Sequence, residues 1–310
     1  MTIVLAGATA VGKSSLALIL AERLSGTILM ADSMQVYQGM DIGTAKPTPE
    51  DQRRIPHGGI DCVKPDQSFS VADYLKIAQA HIDKYSQHPL IVCGGTGLYL
   101  KALREGLAPI PATPSELKAE LQATPLPVLQ RQLRSLDPQA AATIDINNPA
   151  RIIRALAVII TTGQSILTWQ AQGRSNPLLT SETRYYWLQR SADEEKDRIA
   201  SRVHQMLERG WIEEVQDLLR HYPARILMSH PAIGYGLIAQ WLISGNFDAL
   251  PTAADLPREL IDSIISATRQ YRRRQYTWFR KELCWKPLHA SCIRESDLAD
   301  ELLNDAFTSF

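Results

Sequence analysis

Gly7-Ala8-Thr9-Ala10-Val11-Gly12-Lys13-Ser14 has the spacing G-x-x-x-x-G-K-[ST]. Glycines at both ends let successive backbone N–H groups converge on phosphate oxygens, Lys13 adds a full positive charge, and the Ser14 hydroxyl is a ligand for Mg²⁺. The segment therefore binds phosphates, but its chemistry does not say whether they are attacked or leave. Most such loops hold a nucleoside triphosphate, which points to a nucleotide-binding kinase or ATP-binding NTPase. A GTPase would need an N-K-x-D segment, and the chain has only Gly43-Thr44-Ala45-Lys46-Pro47. A motor ATPase would often carry a metal-holding acid where Cys93-Gly94-Gly95 stands. The clearest strand-end acid is Asp32, either a turn or cap aspartate or, beside a phosphate site, a base or metal-shell residue.

The second unusual segment is Arg269–Lys281, with six cations, four aromatics and no acid in thirteen residues. Helical spacing gathers Tyr271, Gln275, Trp278 and Phe279 on one side and spreads Arg269, Arg272, Arg273 and Arg280 over the rest. Such a stripe is either a solvated cationic helix packed on its aromatics or a contact for an RNA backbone.

The elements that must hold these residues follow from periodicity. Thr2–Ala6, Gly26–Ala31 and Leu90–Cys93 are short apolar runs that read as buried strands. Ser14–Leu24 and Ser70–Tyr85 have apolar residues at helical spacing. Strands alternating with helices imply a parallel α/β sheet with ligands at the carboxyl ends of its strands, where the 7–14 loop, Asp32 and Gly94–Gly97 share one edge. From about Leu107 the texture changes, with eight of eighteen prolines falling in residues 107–180, interleaved with helices. Thr113-Pro114-Ser115-Glu116 reads as a capping box, Asn148-Pro149 opens a helix that Gly163 ends, and Ser191-Ala192-Asp193-Glu194 reads as a second capping box before a helix carrying Arg198 and Arg202 one turn apart. The tail after Pro287 is weakly patterned.

Thirty-three basic and thirty-three acidic residues cancel, so any polyanion must be held by a local patch. The proportions, 45% hydrophobic and 21% charged, are those of a soluble protein with a sizeable core. Cys62, Cys93, Cys284 and Cys292 form no C-x-x-C pair and read as reduced, cytosolic thiols. No run reaches the length of a membrane span, and the N-terminal apolar stretch has no basic leader. A cytoplasmic protein without a membrane partner is expected.

In order along the chain, GATAVGKS, ADSMQVYQGMDIGTAKP (31–47), SFSVADY (68–74), GGTGLYLKAL (94–103), NPARIIRAL (148–156) and ATRQYRRRQYTWFRK (267–281) resemble the motifs of the tRNA dimethylallyltransferase family. The resemblance spans roughly residues 1–283. It implies a prenyltransferase that moves a dimethylallyl group from dimethylallyl diphosphate to the exocyclic N6 of the adenosine just 3′ of the anticodon and releases diphosphate. The loop Gly7, Ala8, Thr9, Ala10, Val11, Gly12, Lys13 and Ser14 would then grip the leaving group with Mg²⁺ on Ser14, Arg202 would sit on the diphosphate, and Asp32 would be the base. By the same resemblance Asp32, Ser33, Met34, Gln35 and Thr96 meet the target nucleotide, and Arg151 and Arg154 touch the anticodon arm. Those two arginines suit a solvated helix face equally well. Arg272, Arg273 and Arg274 are candidates for tRNA phosphates. The sequence departs from the family pattern at Gln38, Gly58, Ala157 and Gly236, the last standing where a basic residue is usual.

The expected fold is a P-loop NTPase-like parallel sheet core, residues 1–112 and 182–310, interrupted by a helical insertion at 113–181 that grips the tRNA anticodon stem-loop; a monomer is expected. Rival readings are a free-nucleotide isopentenyltransferase, a small-molecule kinase, and an RNA-binding assembly factor switched by a nucleotide.

Overall fold

The computed structural model describes residues 1–247, 256–282, 284–291 and 293–308. The chain divides into two compact units, Met1–Lys101 with Leu179–Phe310, and Ala102–Leu178. The second unit begins eleven residues before the expected insertion and ends three before it.

The first unit is built on six parallel strands: β1 (Thr2–Gly7), β2 (Thr27–Ala31), β3 (His57–Gly58), β4 (Leu90–Gly94), β5 (Arg184–Gln189) and β6 (Lys286–His289). Their order is β3-β2-β4-β1-β5-β6. β1, β2 and β4 are almost wholly buried, which is why they are continuous apolar runs rather than alternating ones. The helices Lys13–Leu24 and Glu295–Thr308 share a core with these strands, with Ile3, Leu5, Leu16, Leu20, Leu298 and Leu302 each at most 1% exposed. Three strands lay outside the periodicity argument. β3 is two residues long, β5 is rich in aromatics, and β6 carries Pro287, which an edge strand tolerates. The weakly patterned tail thus contributes both a strand and a helix.

β4 lies between β1 and β2 in register, Leu5 opposite Cys93 and Met30 opposite Cys93. With about 4.8 Å between neighbouring strands, the phosphate loop after β1 and Asp32 after β2 are held roughly 10 Å apart. Gly94 and Gly95 end the strand between them. A Cβ on Gly94 would lie 2.1 Å from Ala31 O, so only glycine permits this close approach.

The second unit is helical, with Ser115–Ala123, Leu126–Leu136, Pro138–Thr143, Pro149–Thr162 and Ile166–Ala171 packed on Leu129, Leu133, Ile152 and Leu156. Asn148 caps the fourth helix by accepting from Arg151 N–H, and Gly163 closes it in a left-handed conformation. The two capping boxes are corrected. Thr113 does not cap: the helix starts at Ser115, and the Thr113 hydroxyl accepts from Arg154 at 3.2 Å. Ser191 does cap the Ala192–Glu208 helix, but the reciprocal half is absent because the Glu194 carboxylate is paired with Arg190.

Gly94→Ala should lower unfolding stability by about 1–3 kcal/mol through overpacking against β2. Chemical denaturation reads this directly, and a wild-type midpoint would contradict the strand contact.

Candidate active site

The loop after β1 folds through two left-handed residues, Ala10 (φ 64°) and Gly12 (φ 102°), before the Lys13–Leu24 helix begins. Three of its carbonyls are held by cations. Lys13 Nζ donates to Ala8 O at 2.6 Å, Arg198 Nε to Ala10 O at 2.8 Å, and Arg190 Nε to Val11 O at 2.8 Å. In a trans peptide the carbonyl and the next N–H point in opposite directions, so pinning the carbonyls turns the following amides the other way. That is how a loop presents N–H groups to an anion. Arg190 is buried and faces Glu194 and Glu295.

Gln275 holds the loop from the other side. Its Oε1 accepts from Thr9 N–H at 2.9 Å and its Nε2 donates to Gly95 O at 3.0 Å, tying the loop to the end of β4. It comes from the Arg258–Phe279 helix, which carries the basic stripe. As the spacing predicts, Gln275 and Phe279 are buried, Tyr271 and Trp278 are partly buried, and Arg269, Arg273, Arg274 and Arg280 are exposed. Arg272 differs. It is turned inward, its Nε donating to the fully buried Glu195 and its guanidinium lying 4.5 Å from the centroid of the Tyr276 ring, whose hydroxyl also donates to Glu195 at 2.7 Å. This corrects its assignment to the free cationic face, and the expectation of an RNA phosphate passes to Arg273 and Arg274.

Lys13, Ser14, Thr9, Asp32, Ser33, Met34, Gln35, Arg202, Tyr271, Arg274 and Gln275 line one cavity of about 300 Å³, together with Met30, Ile199, Val203, Met206, Trp211 and Ile233. A wider cavity of about 890 Å³ is lined by Arg198, Arg209, Asp41 and Lys46, and shares Lys13, Ser14, Arg202 and Met206 with the first. Asp32 Oδ1 accepts from Met34 N–H at 2.9 Å, a local turn that orients the carboxylate. Thr96 lies behind this turn, accepting from Ser33 N–H at 2.9 Å and donating to Ser33 Oγ at 3.2 Å. Gln35 Nε2 donates to Thr44 O and Ala45 O, while its buried Oε1 has no protein partner and remains an acceptor. Arg151 and Arg154 are exposed on the Pro149–Thr162 helix of the second unit. The imidazole of His81 occupies the space that a side chain at Gly58 would need, 2.6 Å from its Cβ position.

The electrostatics mark the cavity as built for negative charge. Burial pulls the Lys13 ammonium down from 10.5 to about 8, with Arg202 lowering it further and Cys93, Asp32 and Glu195 opposing. Burial also lowers the Arg202 guanidinium, against the pull of Asp32. Two cations are held in a poorly solvated place where each disfavours the other, a cost that a bound polyanion relieves. Among the described residues no group of three or more His, Cys, Asp or Glu could form a metal cage. Mg²⁺ does not require one, because it commonly binds through one or two protein oxygens plus substrate phosphates and water. The exposed Ser14 hydroxyl, where both cavities meet, fits that mode.

A phosphate loop after the first strand of a parallel sheet, with a strand-end aspartate lining the same cavity, is the arrangement of the P-loop fold. The family model described as IPP transferase matches residues 35–282, and that described as isopentenyl transferase matches residues 1–58. The chain belongs to the IPP transferase family. It is 40% identical over 291 residues to the tRNA dimethylallyltransferase of Geobacter sulfurreducens, covering 90% of this chain and 89% of the relative. Among solved structures it is similar to the tRNA isopentenylpyrophosphate transferase of Bacillus halodurans, with TM-score 0.66, 32% identity, and coverage of 98% of this chain and 94% of that one. It is also similar to a eukaryotic dimethylallyltransferase acting on tRNA, with TM-score 0.77, 25% identity, and coverage of 94% and 74%. The rival kinase and switch readings fall with this membership.

The residues missed by sequence reasoning are Gln275 as a loop anchor, Arg190 and Arg198 as carbonyl clamps, and Glu195 as the buried partner of Arg272. Arg198 had one signal, its place one turn before Arg202. The others are fixed by contacts between distant segments.

Because burial pulls the Lys13 ammonium down to about 8 in the free protein, its contribution to diphosphate affinity should be full below that pH and fall as pH rises through it. Calorimetric titration of diphosphate from pH 7 to 9.5 reads this. Lys13→Arg should remove the Lys13-dependent part of the fall, and identical profiles for the two proteins would contradict the assignment.

Proposed function

We propose that this protein transfers the dimethylallyl group of dimethylallyl diphosphate to N6 of the adenosine immediately 3′ of the anticodon in tRNA, releasing diphosphate. The observation that carries the reading is that Lys13, Arg202 and Asp32 line one cavity, so that leaving-group cations and a proton acceptor border the same space. Membership of the IPP transferase family and relatives named tRNA dimethylallyltransferase support the substrates.

In the reaction the C1–O bond of the donor breaks and its electron pair leaves on diphosphate, while a bond forms between C1 and N6. Negative charge grows on oxygens that the loop amides, Lys13 and Arg202 stabilise. Mg²⁺, held by Ser14 and the diphosphate, would supply further charge neutralisation. The attacking amine becomes acidic as it bonds to C1 and passes its proton to Asp32. Since Met34 N–H occupies Oδ1, Oδ2 is the oxygen assigned to receive it. The adenosine must leave its loop stack to enter the cavity, at a cost of a few kcal/mol that binding contacts offset. Gln35 Oε1, an unpaired buried acceptor, suits an N–H of the incoming base. Ser33 and Met34 complete the strand-end turn that meets the nucleotide, with Thr96 bracing it.

Arg151, Arg154 and Arg273 outside the cavity, and Arg274 at its lining, are the cations assigned to the anticodon arm, and Arg272 is assigned a positioning role through Glu195. Gly236 stands where the family usually has a basic residue, so no side-chain cation from that position joins this set. The protein is proposed to act as a monomer in the cytoplasm; no described helix is long and apolar enough to cross a membrane.

Unmodified tRNA incubated with labelled dimethylallyl diphosphate and Mg²⁺ should yield labelled N6-dimethylallyladenosine on nucleoside analysis. A protein inert to that donor but consuming ATP would overturn the reading. Asp32→Ala should abolish transfer while tRNA affinity is largely kept, and full activity in that variant would eliminate the base. Arg273→Ala or Arg274→Ala should each reduce the log–log salt slope of tRNA binding by about 0.7–0.9. Arg272→Ala should instead lower the melting temperature, because it leaves the Glu195 carboxylate buried and unpaired.

A further inference from the structure

The apolar part of the cavity lining has no assigned task, nor does the Ile233-Gly234-Tyr235-Gly236 segment beside it. Arg202 and Met206 lie one turn, about 6 Å, apart on the Ala192–Glu208 helix, and Trp211 opens the next helix. All three line the cavity. Along this stretch the lining thus passes from the Arg202 guanidinium through the Met206 thioether to the indole. Building on the function proposed above, we propose that Trp211 is the end wall of the isoprenoid pocket and limits the donor to five carbons, excluding ten-carbon prenyl diphosphates.

What makes the indole a wall rather than a movable side chain is its clamp. Trp211 is 1% exposed, and glycines lie flush against it from two separate segments. A Cβ on Gly43 would be 2.1 Å from its Nε1, and a Cβ on Gly234 would be 2.2 Å from its Cη2. Tyr235 packs edge-on with ring centroids 5.6 Å apart. The Tyr235 hydroxyl donates to Glu214 Oε1 at 2.6 Å, while Glu214 Oε2 accepts from Asp41 N–H at 2.9 Å and Ile42 N–H at 2.7 Å. Glu214 stands one turn after Trp211, so a single carboxylate locks the indole's own helix, the loop before Gly43 and the residue after Gly234 into one body. The indole has nowhere to retreat.

For donors of either length the same bonds change: C1–O breaks, C1–N6 forms, and the N6 proton passes to Asp32. Discrimination therefore comes from fitting the extra carbons. A single methylene in an apolar pocket is worth about 10–200-fold in kcat/KM. A further five-carbon unit against a fixed wall should be rejected strongly.

The test compares kcat/KM for dimethylallyl and geranyl diphosphate on the same tRNA. The wild-type protein should favour the shorter donor by more than about 100-fold. Trp211→Ala and Trp211→Leu should shift the ratio toward geranyl diphosphate by on the order of 10–10²-fold, the leucine variant less, with KM for tRNA unchanged. The leucine variant keeps an apolar core residue and decides the matter if the alanine variant does not fold. A wild-type ratio in folded Trp211→Leu, or a wild-type protein using both donors equally, overturns the end wall. A wild-type protein inert to both donors overturns the functional reading beneath it, which separates the two failures.

Discussion

A loop that binds phosphate must keep its own carbonyls away from the anion, and the first unit of this protein is organised around that requirement. Ala8, Ala10 and Val11 each give their carbonyl oxygen to a different cation, from the loop itself, from the Ala192–Glu208 helix and from the end of β5. Gln275 takes the Thr9 amide and fastens it to β4. Four separate segments therefore converge on a few peptide units. Preorganisation of this kind is what lets backbone dipoles stabilise developing charge without rearranging at the moment of reaction. It also gives a structural task to cations that would otherwise be counted as anion ligands.

The spacing of the sheet then separates the two halves of the chemistry. The phosphate loop follows β1 and Asp32, the proposed proton acceptor, follows β2, with one strand between them. At the end of that strand Gly94 and Gly95 let Ala31 O and the Gln275 amide come within 2.1 and 2.2 Å of where a Cβ would stand. The position that many phosphate-loop enzymes give to a metal-holding acid is used here for close packing against β2 and the Arg258–Phe279 helix.

The basic stripe shows how composition and role diverge. Its thirteen residues read as one cationic surface, yet they divide three ways in space. Arg273 and Arg274 are exposed, the latter bordering the cavity, Arg272 closes an internal pair with Glu195, and Gln275 anchors the phosphate loop. Periodicity identifies the buried side of the helix because burial follows from apolar content. It does not tell a solvated arginine from a paired one, because the partner of Arg272 lies 77 residues away. The capping segments fail for a related reason: the Thr113 hydroxyl and the Glu194 carboxylate each had two available partners, and the arginines won both.

By itself the sequence determined what depends on neighbours along the chain: the strand–loop–helix of residues 2–24, the burial of β1, β2 and β4, the Asn148 cap, and a phosphate loop sharing an edge with Asp32. Its ordered motifs also determined the family. Only the tertiary structure decided which cation meets which carbonyl, that Gln275 closes on Thr9 across 266 residues, and that two glycines and a tyrosine fix Trp211 against the cavity. The physical reason is range. Backbone propensity and hydrophobic period act over a few residues and leave their mark locally. Hydrogen-bond partners and steric walls are chosen among side chains that only the completed fold brings within a few ångströms.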